Sequence, residues 1–225
     1  MSTIERGRGA FITFEGMDGC GKTTQMTLLA RKLRGAGYGV LESYEPGGTP
    51  IGTQVRRILL DAANQELCPT AELLLYFACR AQNVEQSILP ALSEGKIVLS
   101  DRFTDSTLVY QGVGRGLGKE VVLALDGVAC RGLVPDLTVL IDIDLETSLS
   151  RAHSRNRELS GKDVVAETRM DDQAVEFHRR VHEAYAELAV AEPRRFAVID
   201  GRRDIQTVFN DVWRTVSERI GSPHV

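Results

Sequence analysis

The segment Gly16-Met-Asp-Gly-Cys-Gly21-Lys22-Thr23 sets two glycines, a lysine and a threonine at the spacing G-x-x-x-x-G-K-[ST]. Glycines so placed let successive backbone N–H groups turn inward around phosphate oxygens, and the positive end of a following helix adds to that field. Lys22 would reach the β and γ phosphates of a nucleotide, and the Thr23 hydroxyl would hold Mg²⁺. Gly16, Met17, Asp18, Gly19, Cys20, Gly21 and Thr24 are the remaining candidates for the phosphate cradle. The match falls between a strand-type run and a helical one, as this mechanism requires. A glycine turn that holds no nucleotide is the plain alternative.

Asp18 puts a carboxylate inside the loop, where it repels phosphate unless it faces an acceptor hydroxyl or a metal. A solvated loop aspartate is the other reading. Cys20, close to Lys22, reads as a low-pKa thiol or, more plainly, as a small residue filling the loop. Asp101 follows the apolar run Ile97–Leu99. A carboxylate at such a strand end suits Mg²⁺ held through water. Arg102 beside it offers a bidentate fork to phosphate, or a structural ion pair. Tyr76 and Arg80 share a helix face at i, i+4, where a ring and a guanidinium could stack on and bond a base; ordinary core is the rival. Arg151, Arg155, Arg157 and Lys162 face a single acid, Glu158. Such a run is a solvated face, or a source of an arginine that neutralises charge on a transferring phosphoryl group. His178 and His182 have the spacing of a metal pair, but no third ligand is evident, so they read as a solvated helix face.

These residues need elements that bring them together. Ala10–Glu15, Val40–Tyr44, Ile97–Leu99, Leu137–Ile143 and Phe196–Ile199 read as five short strands. Between them Gln25–Leu33, Arg56–Leu60, Ala71–Leu92, Met170–Val190 and Ile205–Ile220 read as helices, with Met26, Leu29, Ala30 and Leu33 forming one apolar stripe. Leu73–Ala78 is apolar nearly all round, which implies burial. The expected fold is α/β: a five-stranded parallel sheet with helices on both faces, three layers in all. Ligands of such sheets bind beyond the carboxyl ends of the strands. The segments Gly16–Thr23, Glu45–Thr49, Asp101–Arg102 and Asp200–Gly201 all lie at such ends. Arg151–Arg169 lacks apolar periodicity and reads as a mobile surface loop inserted in a single domain, residues 1–225.

Composition narrows the classes. The 225 residues are 43% hydrophobic and 26% charged, with a net charge of −4. That is ample for a core and lacks the basic footprint of a nucleic-acid binder. No apolar stretch is long enough to span a membrane, and Met1–Ala10 lacks the apolar core of a secretory signal. Cys20, Cys68, Cys79 and Cys130 form no C-x-x-C pair, which argues against a zinc site or a disulfide framework. A cytoplasmic protein with reduced thiols is expected.

Taken in order along the chain, Phe14-Glu-Gly-Met-Asp-Gly-Cys-Gly-Lys-Thr-Thr24, Glu45-Pro-Gly-Gly-Thr49, Asp101-Arg-Phe103, Ser106 with Tyr110-Gln-Gly112, and Pro135-Asp-Leu137 resemble the signatures of the bacterial thymidylate kinase family. The resemblance implies a P-loop kinase fold and phosphoryl transfer from ATP to dTMP with Mg²⁺, in a homodimer. By position, it implies that Asp18 lies near the acceptor's sugar hydroxyl and phosphate, and that Arg102 and Arg56 contact that phosphate. Tyr76 would lie on thymine, Arg80 and Thr107 would bond it, and Tyr110 next to Gln111 would crowd the sugar 2′ position. The family carries its catalytic arginine either in the phosphate loop or in a lid. Met17–Cys20 has no basic residue, which points to lid arginines: Arg151 on ATP and Arg155 as catalytic, with Arg157 second choice. His153 and Tyr44 stand where relatives often have arginine.

Other classes fare worse. A GTPase needs an Asn-Lys-x-Asp motif, and the chain has no Asn-Lys pair. Leu159-Ser-Gly161 hints at a transporter ATPase, whose remaining signature is missing. Another nucleotide kinase, or a binding module without turnover, stays open.

Overall fold

A computed structural model describes residues 9–159, 168–171 and 173–220, without the side chains of 153 and 155–159. Strands β1 (Phe11–Glu15), β2 (Val40–Tyr44), β3 (Ile97–Asp101), β4 (Leu137–Asp142) and β5 (Phe196–Asp200) form one sheet in the order β2-β3-β1-β4-β5. Every pairing is parallel. Phe14 of β1 is level with Asp101 of β3 and Val139 of β4. The ends of β1 and β3 therefore open side by side, which sets the Gly16 loop next to Asp101–Arg102.

Alternation along β1 assigns its two faces. Ile12 and Phe14 pack with Leu29, Leu33, Val212 and Val216 from α1 (Lys22–Gly35) and α9 (Ile205–Ile220). Phe11 packs on the opposite side, with Leu73, Phe77, Val122, Phe177 and Val181 from α3 (Pro69–Asn83), α6 (Lys119–Ala129) and α8 (Val175–Ala191). Glu15 shares that second parity, and so turns toward α8 and away from α1. The remaining helices are α2 (Pro50–Leu60), α4 (Leu89–Ser93), α5 (Thr104–Thr107) and α7 (Leu145–Leu159).

Several elements depart from the sequence reading. Ala71–Leu92 is not one α-helix: α3 passes through a π-type stretch, Val84–Ile88, into α4. Pro90 lacks an N–H and would clash with the carbonyl four residues earlier, and a wider turn relieves both. Leu74 and Ala78 are exposed, so α3 is covered on one side only. The expected helix from Met170 begins at Val175. Residues 151–159, expected as loop, continue α7; the rest of the expected lid, residues 160–167, lies outside the described residues. The Thr104–Ala129 region, read without structure, forms α5, a π-type segment (Leu108–Gly114) and α6.

Candidate active site

The loop after β1 leads into α1 through Gly21 in a left-handed conformation (φ 98°), and no side chain caps the first turn. Its backbone N–H groups are thus left for an anion. Lys22 is buried and folds back across the loop, donating from Nζ to the Met17 carbonyl at 3.0 Å. Cys20 is buried, and burial pushes its thiol up, so it acts as filler. Thr24 is exposed on α1.

Helix α7 roofs the loop. Ser148 Oγ donates to the Asp18 carbonyl at 2.6 Å. A Cβ on Gly19 (φ 76°) would lie 2.8 Å from the Ser148 carbonyl and 2.9 Å from Arg151 Cβ. Ser148, Arg151, Ala152 and position 155 recur at helical spacing along α7. The side chain of Arg155, like that of Arg157, lies outside the described residues.

From β3 come Asp101 and Arg102. Thr23 Oγ1 donates to Asp101 Oδ2 in a short bond, bringing a hydroxyl and a carboxylate together at the mouth of the loop. Hard oxygens of this kind, one or two from protein with the rest from phosphate and water, suit Mg²⁺. Among the described residues no cluster of three His, Cys, Asp or Glu competes as a metal centre. Arg102 sits at φ 71°, a strained backbone for a residue with a side chain. It donates from Nη2 to Asp18 Oδ1 at 2.8 Å and to the Tyr110 hydroxyl at 3.3 Å, with its guanidinium over the Tyr110 ring. Tyr110 OH in turn donates to Asp18 Oδ2 at 3.0 Å. Burial would pull the Arg102 guanidinium down, yet Asp18 beside it holds it well up.

Behind Arg102 lies Glu15, a carboxylate with no solvent exposure. It accepts from Phe103 N at 2.8 Å, Ser106 N at 3.3 Å, Ser106 Oγ at 2.5 Å and Tyr185 OH at 2.8 Å. Burial, then the nearby Asp105, raise its pKa to about 7 against the opposing pull of Arg102.

On the α3 side, Arg80 is 1% exposed between the rings of Phe77 and Phe103. It donates from Nε to Glu45 Oε2 at 2.6 Å and from Nη2 to Thr107 Oγ1 at 2.8 Å. Its Nη1 has no hydrogen-bond partner among the described residues. Tyr76, one turn earlier, is half-buried. Gln111 is engaged by Glu72, to which its Nε2 donates at 2.8 Å. Arg115 and Arg169 also pair with Glu72, at 3.1 and 2.7 Å. Burial pushes Glu72 up, but the bonds from Arg115 and Gln111 and the charges of Arg115 and Arg169 win and hold it low. Arg56 stacks on Tyr44 and donates to the Pro46 carbonyl at 2.9 Å.

The fold thus brings Asp18, Lys22, Thr23, Asp101, Arg102, Tyr110 and Arg151 to one end of β1 and β3, with Tyr76, Arg80 and Thr107 alongside. His178 is corrected: it is 2% exposed, and neither ring nitrogen finds a partner among the described residues. His182 instead meets Asp142 at 3.0 Å. Sequence reasoning missed Ser148 and Tyr185 in the site, and Arg115 with Arg169 around Glu72. Tyr185 falls inside the helical run Met170–Val190, whose spacing marks it only as part of a packed face, and its hydroxyl is the signal that could mark it for the site.

A profile of the Thymidylate kinase family matches residues 14–212. The chain is 52% identical over 200 residues to a thymidylate kinase of Pelobacter propionicus, covering 89% of this chain and 90% of that one. It is 47% identical to a thymidylate kinase of Geobacter sulfurreducens, with 94% and 98% covered. The crystal structure of thymidylate kinase from Ehrlichia chaffeensis superposes with a TM-score of 0.73 at 33% identity, covering 93% of this chain and 98% of that one. With motifs, sheet order and relatives in agreement over nearly its whole length, the chain belongs to the thymidylate kinase family.

Proposed function

We propose that the protein transfers the γ-phosphoryl group of ATP to dTMP, giving dTDP and ADP. An oxygen of the acceptor phosphate forms the new bond to the γ-phosphorus, and the bond to the β–γ bridging oxygen breaks. The reading rests on the Asp18–Arg102 pair at 2.8 Å, which joins the donor-phosphate loop to the turn after β3. A guanidinium there can hold a second phosphate in line with the first, and positioning with charge neutralisation is most of what this reaction needs.

Lys22 draws charge from the β and γ phosphates, with the backbone N–H groups of 16–24 around them. Asp18 and Arg102 orient the acceptor, and Arg56 supports its phosphate. Arg151 flanks the ATP phosphates, and Arg155, further along the same helix, neutralises charge on the transferring group. Thr23 and Asp101 would hold Mg²⁺, which would supply charge neutralisation at the phosphates. Tyr76 stacks on thymine; Arg80 Nη1, buried without a hydrogen-bond partner among the described residues, and Thr107 serve its edge, with Tyr110 and Gln111 at the sugar side.

The remaining assignments follow the family: one nucleotide-binding domain over 1–225 with an insertion near 151–169, a cytoplasmic homodimer, and neither nucleic acid nor membrane as partner. Among the described residues no helix is long and apolar enough to cross a membrane. The test is ADP formation from Mg·ATP with dTMP, dUMP, dGMP, AMP, CMP, thymidine or no acceptor. Fast turnover with dTMP and weak turnover with dUMP are expected. The methyl that separates them is worth about 1–3 kcal/mol. Preference for another monophosphate overturns the base assignments, and no turnover with any acceptor overturns the enzyme.

A further inference from the structure

We propose that Glu15 is a positioning residue for phosphoryl transfer: through the hydroxyls of Ser106 and Tyr185 it sets where the Arg102 guanidinium stands. The proposal rests on the reaction above, in which Arg102 holds the acceptor phosphate. Glu15 itself cannot touch a substrate, because it has no exposed surface.

An ionised carboxylate is acceptor-only, so in that state both hydroxyls direct their protons toward it. Ser106 Oγ lies 2.5 Å and Tyr185 OH 2.8 Å from Oε2 of Glu15. The lone pairs of both oxygens are then left for Arg102 Nη1, which donates to Ser106 Oγ at 3.0 Å and to Tyr185 OH at 3.3 Å. One buried charge thus polarises two relays in the same sense, and both end on one nitrogen, Nη1, of one guanidinium. The other terminal nitrogen, Nη2, meets Asp18. Glu15 also accepts from the backbone at Phe103 and Ser106, which fixes the turn that carries Arg102 in its left-handed conformation. Since Gly16 follows directly, the residue that opens the donor loop also orients the acceptor's arginine. Glu15→Gln keeps shape but substitutes an N–H₂ donor. Placed at the Oε2 position, that N–H₂ faces both hydroxyls, which must reverse and aim their protons at Arg102; placed at the Oε1 position, it faces the N–H groups of Phe103 and Ser106, and the turn that carries Arg102 loses its acceptor.

The test is steady-state kinetics on the full chain with ATP and dTMP varied separately, for wild type, Glu15→Gln, Ser106→Ala and the double variant. A misplacement of a positioning group by a fraction of an ångström is expected to lower kcat/KM for dTMP about tenfold in Glu15→Gln, leaving KM for ATP within about twofold. If the two residues act in one chain, the double variant loses less than the product of the single losses. An unchanged kcat/KM for dTMP, equal losses toward both substrates, or multiplicative losses overturn the proposal. Should Glu15→Gln fail to fold by circular dichroism, Ser106→Ala carries the test, with the hydroxyl of Ser106→Thr expected to restore most of the dTMP term and no restoration overturning it. Wild-type turnover with an unaffected variant sinks this proposal alone. Wild type inactive toward dTMP sinks the functional reading and this proposal with it.

Discussion

Arg80 meets two demands at once. It is proposed to serve the base, and among the described residues it is the only cation bonded to Glu45, a carboxylate that burial pushes up against the pull of Arg80. Removing one partner of a buried pair strands the other, so Arg80→Ala should cost about 3–5 kcal/mol of folding stability, read from the urea unfolding midpoint. A loss near zero would mean that Glu45 is neutral without penalty. Activity of that variant therefore cannot report base recognition by itself. The i, i+4 spacing of Tyr76 and Arg80 was legible, because it is local. Glu45, 35 residues away in sequence, was not, and neither was the link from Ser106 to Glu15 across 91 residues. His178 shows the limit of periodicity in the other direction. It neighbours Phe177, and the buried stripe of α8 is wide enough to take it in.

Elements that alternate apolar residues over a short run were read close to their true bounds: β2 and α9 coincide with expectation, and the other strands differ by a residue or two. Elements bent by one residue were not, as Pro90 shows, and α7 was obscured because its outer positions are polar. Tertiary contact supplies what its periodicity lacks, since Ser148 and Ala152 bury against the phosphate loop. At this scale Glu15 ties β1 to the turn before α5 and to α8, and its titration belongs to the stability of that junction. Asp105, Arg102 and Tyr185 face it, and Arg195 pairs with Asp105. The folded state binds the Glu15 proton more tightly than the unfolded chain, so this group's contribution falls as pH rises from 4.5 toward about 7. The unfolding free energy of Glu15→Gln, measured across that window, should lose this downward component. A slope identical to wild type would assign the pH dependence elsewhere.

At the scale of the molecule, α3 and α6 pack side by side and leave Leu74, Val121, Leu123 and Val128 exposed, Val128 at 80%. The proposed homodimer would cover such a face. Leu123→Glu together with Val128→Asp should shift sedimentation from dimer to monomer while leaving circular dichroism unchanged; a wild-type monomer would overturn the assembly. The roof that α7 places on the phosphate loop bears on something else, the order in which such an enzyme can change. At Gly19 a side chain would have to enter space already held by the Ser148 carbonyl and Arg151 Cβ. A side chain gained there would require α7 to shift, and Arg151, carried on the same turn of α7, would shift with it. Between two ways of supplying one positive charge there is no single-step path at this position.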